Sequence, residues 1–151
     1  MALYPTRRKR QCDERQCDER RRDERRGVAA VEFAIVAPLF FLMVLGCIEI
    51  GRALMVQQVL ISASRVGARE ATTLNGTSSD ATSAAVSYAS GASVPGVTAT
   101  VSPDPGSAKA GELITMTLSV DFLSVSWSPT PWFLGGQTLT ATSVMRKEGF
   151  D

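Results

Sequence analysis

Residues 28–50 read VAAVEFAIVAPLFFLMVLGCIEI, an apolar run whose only charges are Glu32 and Glu49. Sixteen uncharged residues, Phe33 to Ile48, lie between them. About 20 apolar residues in a row suffice to span a bilayer, so this 23-residue run predicts a membrane helix. A buried helix of a soluble protein is the competing reading. It fails because every face of the run is apolar, and a chain of 151 residues lacks the bulk to bury it. Pro38 and Gly46 break soluble helices but are tolerated in membrane ones.

The pattern then changes type without a break. In RALMVQQVLISASRVGAREA, Val56, Val59, Leu60, Ala63 and Val66 recur at helical spacing. Gln57, Gln58, Ser62, Arg65 and Arg69 lie off that stripe. This predicts an amphipathic extension of the same helix, stopped by Asn75-Gly76. Unbroken from Val28 to about Thr72, the helix would be roughly 65 Å long at 1.5 Å per residue. A short helix over 80–90 is expected next, capped by Ser79 or Asp80 and ended at Gly91.

Beyond Gly91 the period becomes two. Val97, Ala99 and Val101 alternate with Thr98 and Thr100. Leu113 to Phe122 places Ile114, Met116, Leu118 and Val120 on one face, and Leu139 to Met145 is a third candidate strand. Turn signals separate them at Pro103-Asp104-Pro105-Gly106, Ala110-Gly111 and Gly135-Gly136. The expectation is an α+β fold: a small antiparallel sheet of about three strands, covered by the amphipathic half of the long helix. The loop 123–136 holds both tryptophans and Phe133. Its rings either form an interfacial or partner-binding patch or fill the gap between sheet and helix.

Charge sharpens the membrane reading. The net charge of +1 hides a +4 stretch at residues 7–26 and −3 over the rest. A basic head before an apolar run fixes orientation, because Lys and Arg resist translocation. The leader contains a pentapeptide repeat, QCDER, QCDER, RRDER, with nothing apolar to bury, and is expected to be disordered. Its basic residues suit anionic lipid headgroups, although interleaved carboxylates weaken that. Cys12 and Cys17 stand five apart, outside metal-ligand spacing. The resulting organisation is a cytoplasmic leader at 1–27, a membrane helix at 28–50, an amphipathic extension at 51–72 and an extracytoplasmic domain at 73–151.

Candidate chemistry is sparse. Histidine is absent, which removes the commonest general base and metal ligand. Asp80, Asp104, Glu112 and Asp121 are scattered singly, and no nucleophile motif or phosphate loop occurs. No enzyme, metal site or cofactor is expected. No cysteine follows Cys47, so the distal domain is not stapled by disulfides.

The informative junction is Arg25-Arg26-Gly27-Val28-Ala29-Ala30-Val31-Glu32-Phe33. A basic leader ends in glycine, an apolar helix begins, and a glutamate stands fifth after the glycine, followed by an aromatic. A charged side chain at the centre of a membrane helix costs on the order of 3 kcal/mol on insertion scales, so such residues are functional by default. Alternatively, Glu32 merely sits at the cytoplasmic interface near Arg25 and Arg26. The junction resembles the processing site of type IV pilins and pseudopilins. That resemblance implies a cut by a prepilin peptidase between Gly27 and Val28, with Glu32 pairing the amine so created on this or a neighbouring subunit.

Residues 28–70 as a whole resemble the N-terminal domain of the TadE-like family, minor pseudopilins of the tight-adherence (Tad or Flp-type) pilus system. Ala30-Val31-Glu32-Phe33, Pro38, Glu49-Ile50-Gly51-Arg52 and Ala68-Arg69-Glu70 carry the likeness, and LTATSVMRKE resembles the family's closing strand. The acidic DER repeat is unusual for such a leader. The resemblance implies a non-catalytic part in pilus assembly. It also implies pilin or pseudopilin subunits and the assembly platform as partners, with no nucleic acid. The place implied is the bacterial inner membrane, N-terminus cytoplasmic and C-terminal domain periplasmic or extracellular. Glu49 and Arg52, three apart, share a helix face. They form either a mutual ion pair of small value or a docking pair for a partner helix. Two other readings stay open: a plain single-pass anchor for a scaffold or adhesion domain, and a lipoprotein acylated at Cys47 after Val44-Leu45-Gly46.

Overall fold

A computed structural model describes residues 7–127 and 134–149, with side chains described from Gly27 onward. The element order is α1 (Arg7–Thr72), α2 (Ser78–Gly91), β1 (Thr98–Ser102), β2 (Leu113–Asp121), α3 (Phe122–Val125) and β3 (Thr138–Arg146). Two compact units result, Met1–Leu45 and Gly46–Asp151.

In the first unit the backbone of α1 is helical from Arg7, through the leader expected to be disordered. Lack of apolar residues denies that segment a core, but Arg, Glu and Gln are good helix formers, and the repeat sets opposite charges three and four residues apart. The apolar run then continues the helix through Pro38. Its large side chains face outward: Phe33, Ile35 and Leu39 are each about 70% exposed. An 18-residue window reaches a mean hydropathy of 2.5 with none of it buried. This helix is long and apolar enough to cross a membrane, and no protein covers it.

The second unit is a three-stranded antiparallel meander, ordered β1-β2-β3, covered on one face by helices. The register aligns Thr100, Thr117 and Thr142 across all three strands. β2 buries alternate residues, Ile114, Met116, Leu118 and Val120, as its period requires. The opposite face carries Thr98, Thr100, Thr117, Ser119, Thr140 and Thr142, β-branched or small polar residues suited to a wet sheet surface. The amphipathic part of α1 is the expected cover: Val56, Leu60 and Ala63 are fully buried and join Met116, Leu118 and Ala141 in one core.

The stripe departs from expectation in one place. Val66 stays 38% exposed, while Ser64, Gly67, Ala68 and Ala71 carry the buried face on. Steps of four and three from Leu60 lead to these positions, and Val66 lies about 100° away on a 3.6-residue turn. A Cβ at Gly67 would lie 2.7 Å from Met116 Cε and 2.9 Å from both Ala81 O and Ala85 Cβ. Glycine here lets α1 approach α2 and the sheet closely.

α2 starts two residues before the expected 80 and ends at Gly91 as expected. Its cap is Thr77, in place of Ser79 or Asp80. The Thr77 hydroxyl accepts from the Asp80 amide at 3.1 Å and donates to the Asp80 carboxylate at 2.7 Å, which holds the capping hydroxyl in place. β2 ends one residue earlier than expected, at Asp121, whose side chain accepts from the Leu123 amide and caps α3.

Candidate functional site

The junction residues Gly27, Val28, Glu32 and Phe33 all lie in α1 and are exposed. Nothing stands within 4 Å of a Cβ built on Gly27. Glycine weakens a helix by about 1 kcal/mol relative to alanine, which marks the Gly27–Val28 bond as a place where the helix is easily opened. Val28 and Glu32 are four residues apart, one turn along the same face. An amine formed at Val28 would therefore stand one turn below the Glu32 carboxylate.

Glu49 and Arg52 behave differently. They are 5% and 7% exposed, and both lie on the stripe that leads on through Val56 and Leu60. The Arg52 guanidinium is turned into its own domain. Its Nε donates to the Val125 carbonyl at 2.9 Å and its NH2 to the Ser93 carbonyl at 3.2 Å. NH1 reaches Met55 Sδ at 3.5 Å, and Cζ lies 4.9 Å from the centre of the Trp127 ring. A planar guanidinium with several fixed donors suits this task better than an ammonium. Arg52 thus ties the helix to two loops, the turn after α2 and the end of α3.

Of the three loop aromatics only Trp127 falls among the described residues. Phe122, expected as the end of a strand, is fully buried and fills the space between sheet and helix. Trp127 is 71% exposed. Trp132 and Phe133 lie outside the described residues.

Residues 27–69 match the family model described as TadE-like protein. The likeness covers 43 residues, less than a third of the chain. No match to a curated protein or to a solved structure reaches significance. The matched segment starts at the glycine of the junction and ends three residues before α1 does. It contains Glu32, Glu49, Arg52 and the buried stripe as far as Ala68, and none of the sheet.

Several residues that sequence reasoning passes over complete the attachment of the TadE-like helix. Gln57 Nε2 donates to the Thr140 carbonyl at 2.8 Å, and the Ser64 and Ser143 hydroxyls lie 2.7 Å apart. Lys147, 7% exposed, donates to the Thr73 carbonyl at 2.6 Å. A single signal was available for Lys147, the likeness of LTATSVMRKE to a closing strand. Cys47 is an exposed free thiol within unbroken helix. Among the described residues, no three His, Cys, Asp or Glu side chains are grouped to hold a metal.

Proposed function

We propose that this chain is a pseudopilin-like membrane subunit, non-catalytic, that takes part in assembling a tight-adherence (Flp-type) pilus or a related secretion apparatus. The observation that carries the reading is the TadE-like match over residues 27–69, which begins at the junction glycine. An exposed Glu32 in an otherwise apolar helix supports it, because a carboxylate in lipid needs a partner.

A prepilin peptidase cuts between Gly27 and Val28. Glu32 then pairs with the new amine of this or a neighbouring pilin or pseudopilin subunit, and Phe33 packs beside it. The subunit sits in the bacterial inner membrane with the leader in the cytoplasm, where its basic residues hold it, and the domain outside. The burial of Glu49 and Arg52 against their own domain favours an internal role for the pair over docking to a partner helix.

Mass spectrometry of the protein extracted from membranes tests this by fixing the mature N-terminus. Val28 is expected. A diacylated Cys47 would make the chain a lipoprotein, against which the helix running unbroken through Cys47 speaks. An intact leader would leave a plain single-pass anchor.

A further inference from the structure

Trp127 exposes 71% of its surface, the largest share of any large apolar side chain among the described residues of the second unit. A tryptophan so exposed is unusual for a water-facing loop, since an amphipathic ring gains most where one end is apolar and the other wet. Its position along the chain's own axis is fixed by Arg52, whose Cζ lies 4.9 Å from the ring centre. Arg52 follows Ile50, the end of the apolar run, by two residues.

From Val28 to Ile50 the helix rises about 35 Å at 1.5 Å per residue, against about 30 Å for the hydrocarbon core. Arg52, and the ring beside it, therefore stand at headgroup depth when the run spans a bilayer. Leu123, 54% exposed, lies on α3, whose Val125 carbonyl accepts from Arg52. Met55, 46% exposed, touches the same guanidinium. The charge of Arg52 is itself spent on two carbonyls and is 7% exposed, so it does not reach out to lipid phosphates.

We propose that Trp127, with Leu123, is a second membrane contact: the ring seats in the headgroup–acyl boundary and holds the domain against the bilayer surface. The occupant of this patch is the lipid interface rather than another protein, because Arg52, which carries the ring, follows the last residue of the apolar run by only two positions. The proposal rests on the reading that residues 28–50 span a bilayer.

The test uses the full chain carrying Trp132→Phe, which leaves Trp127 as the sole tryptophan, reconstituted in phosphatidylcholine vesicles. Vesicle flotation is scored first. Fluorescence is then quenched with lipids brominated near the headgroup end of the acyl chain, with lipids brominated near its methyl end, and with aqueous acrylamide. Shallow bromines are expected to quench at least about twofold more than deep ones, as for an interfacial aromatic ring, with acrylamide quenching reduced. Adding Leu123→Ser is expected to restore part of the acrylamide quenching. Full acrylamide quenching without lipid quenching, in protein that still floats with vesicles, overturns the contact and leaves the patch to a protein partner. Protein that fails to float overturns the spanning helix, and the contact with it.

Discussion

The ammonium group of Lys147 lies 2.6 Å from the carbonyl oxygen of Thr73 and 3.4 Å from that of Ala71. The last carbonyls of a helix lack intrahelical donors, and a cation there also opposes the negative end of the helix dipole. The neighbouring Glu148 amide donates to the Thr72 carbonyl at 2.9 Å, so the chain after β3 closes the end of α1 twice. Lys147→Met keeps the packed stem and removes the charge. It is expected to cost about 1–2 kcal/mol, or a fall of roughly 5–10 °C in the melting temperature. Thermal unfolding of the full chain in detergent, followed by near-UV circular dichroism, measures this, and an unchanged midpoint would mean the cap contributes nothing.

Arg52→Ala leaves the Val125 and Ser93 carbonyls without their donor. A loss of about 2–4 kcal/mol is expected for a buried, charge-assisted pair of bonds. Arg52→Lys should recover less than half of it, since an ammonium cannot reproduce the planar fork. Urea titration of both variants checks the order.

Gly67→Ala sets two effects against each other. Alanine favours the helix by about 1 kcal/mol, but its methyl would meet Met116, Ala81 and Ala85 at 2.7–2.9 Å. Overpacking typically costs about 1–3 kcal/mol, so net destabilisation is expected. Adding Ala85→Gly removes one of the three contacts and should restore part of the stability. A stabilised single variant would show that α1 and α2 move apart freely.

Thr77→Ala is expected to lower stability by about 1 kcal/mol, whereas Ser79→Ala should change it by no more than about 0.5 kcal/mol. Equal effects would remove Thr77 from the cap position.

Gly27→Ala should accumulate the uncleaved chain in the membrane fraction, visible as a heavier band that still carries the leader. Glu32→Val should insert in the membrane at least as well as the parent and be cut normally, yet fail to crosslink to neighbouring subunits. Normal crosslinking of that variant would remove Glu32 from the assembly step.

The elements were legible where the information is local. Alternation in β2 places that strand to within a residue, and the helical pattern after the apolar run ends at Thr72, where α1 ends. What stayed hidden depends on residues far apart. Arg52 meets Val125 at a separation of 73, and Lys147 meets Ala71 at 76. No spacing rule ties such pairs together. Gly67 was missed because it has no side chain for a hydropathy pattern to weigh, although absence of a side chain is what the packing there requires.

The pairing of an early helix with a late strand has a consequence for biosynthesis. Gln57 finds its partner Thr140 after 83 further residues, roughly 4–17 s of translation at 5–20 residues per second. Through that interval Val56, Leu60 and Ala63 have no cover from β3, which supplies Ala141 to their core. The vulnerable species is therefore the nascent chain, and a ribosome stalled before Thr138 would leave an intermediate with an uncovered helix face, exposed to proteases and chaperones.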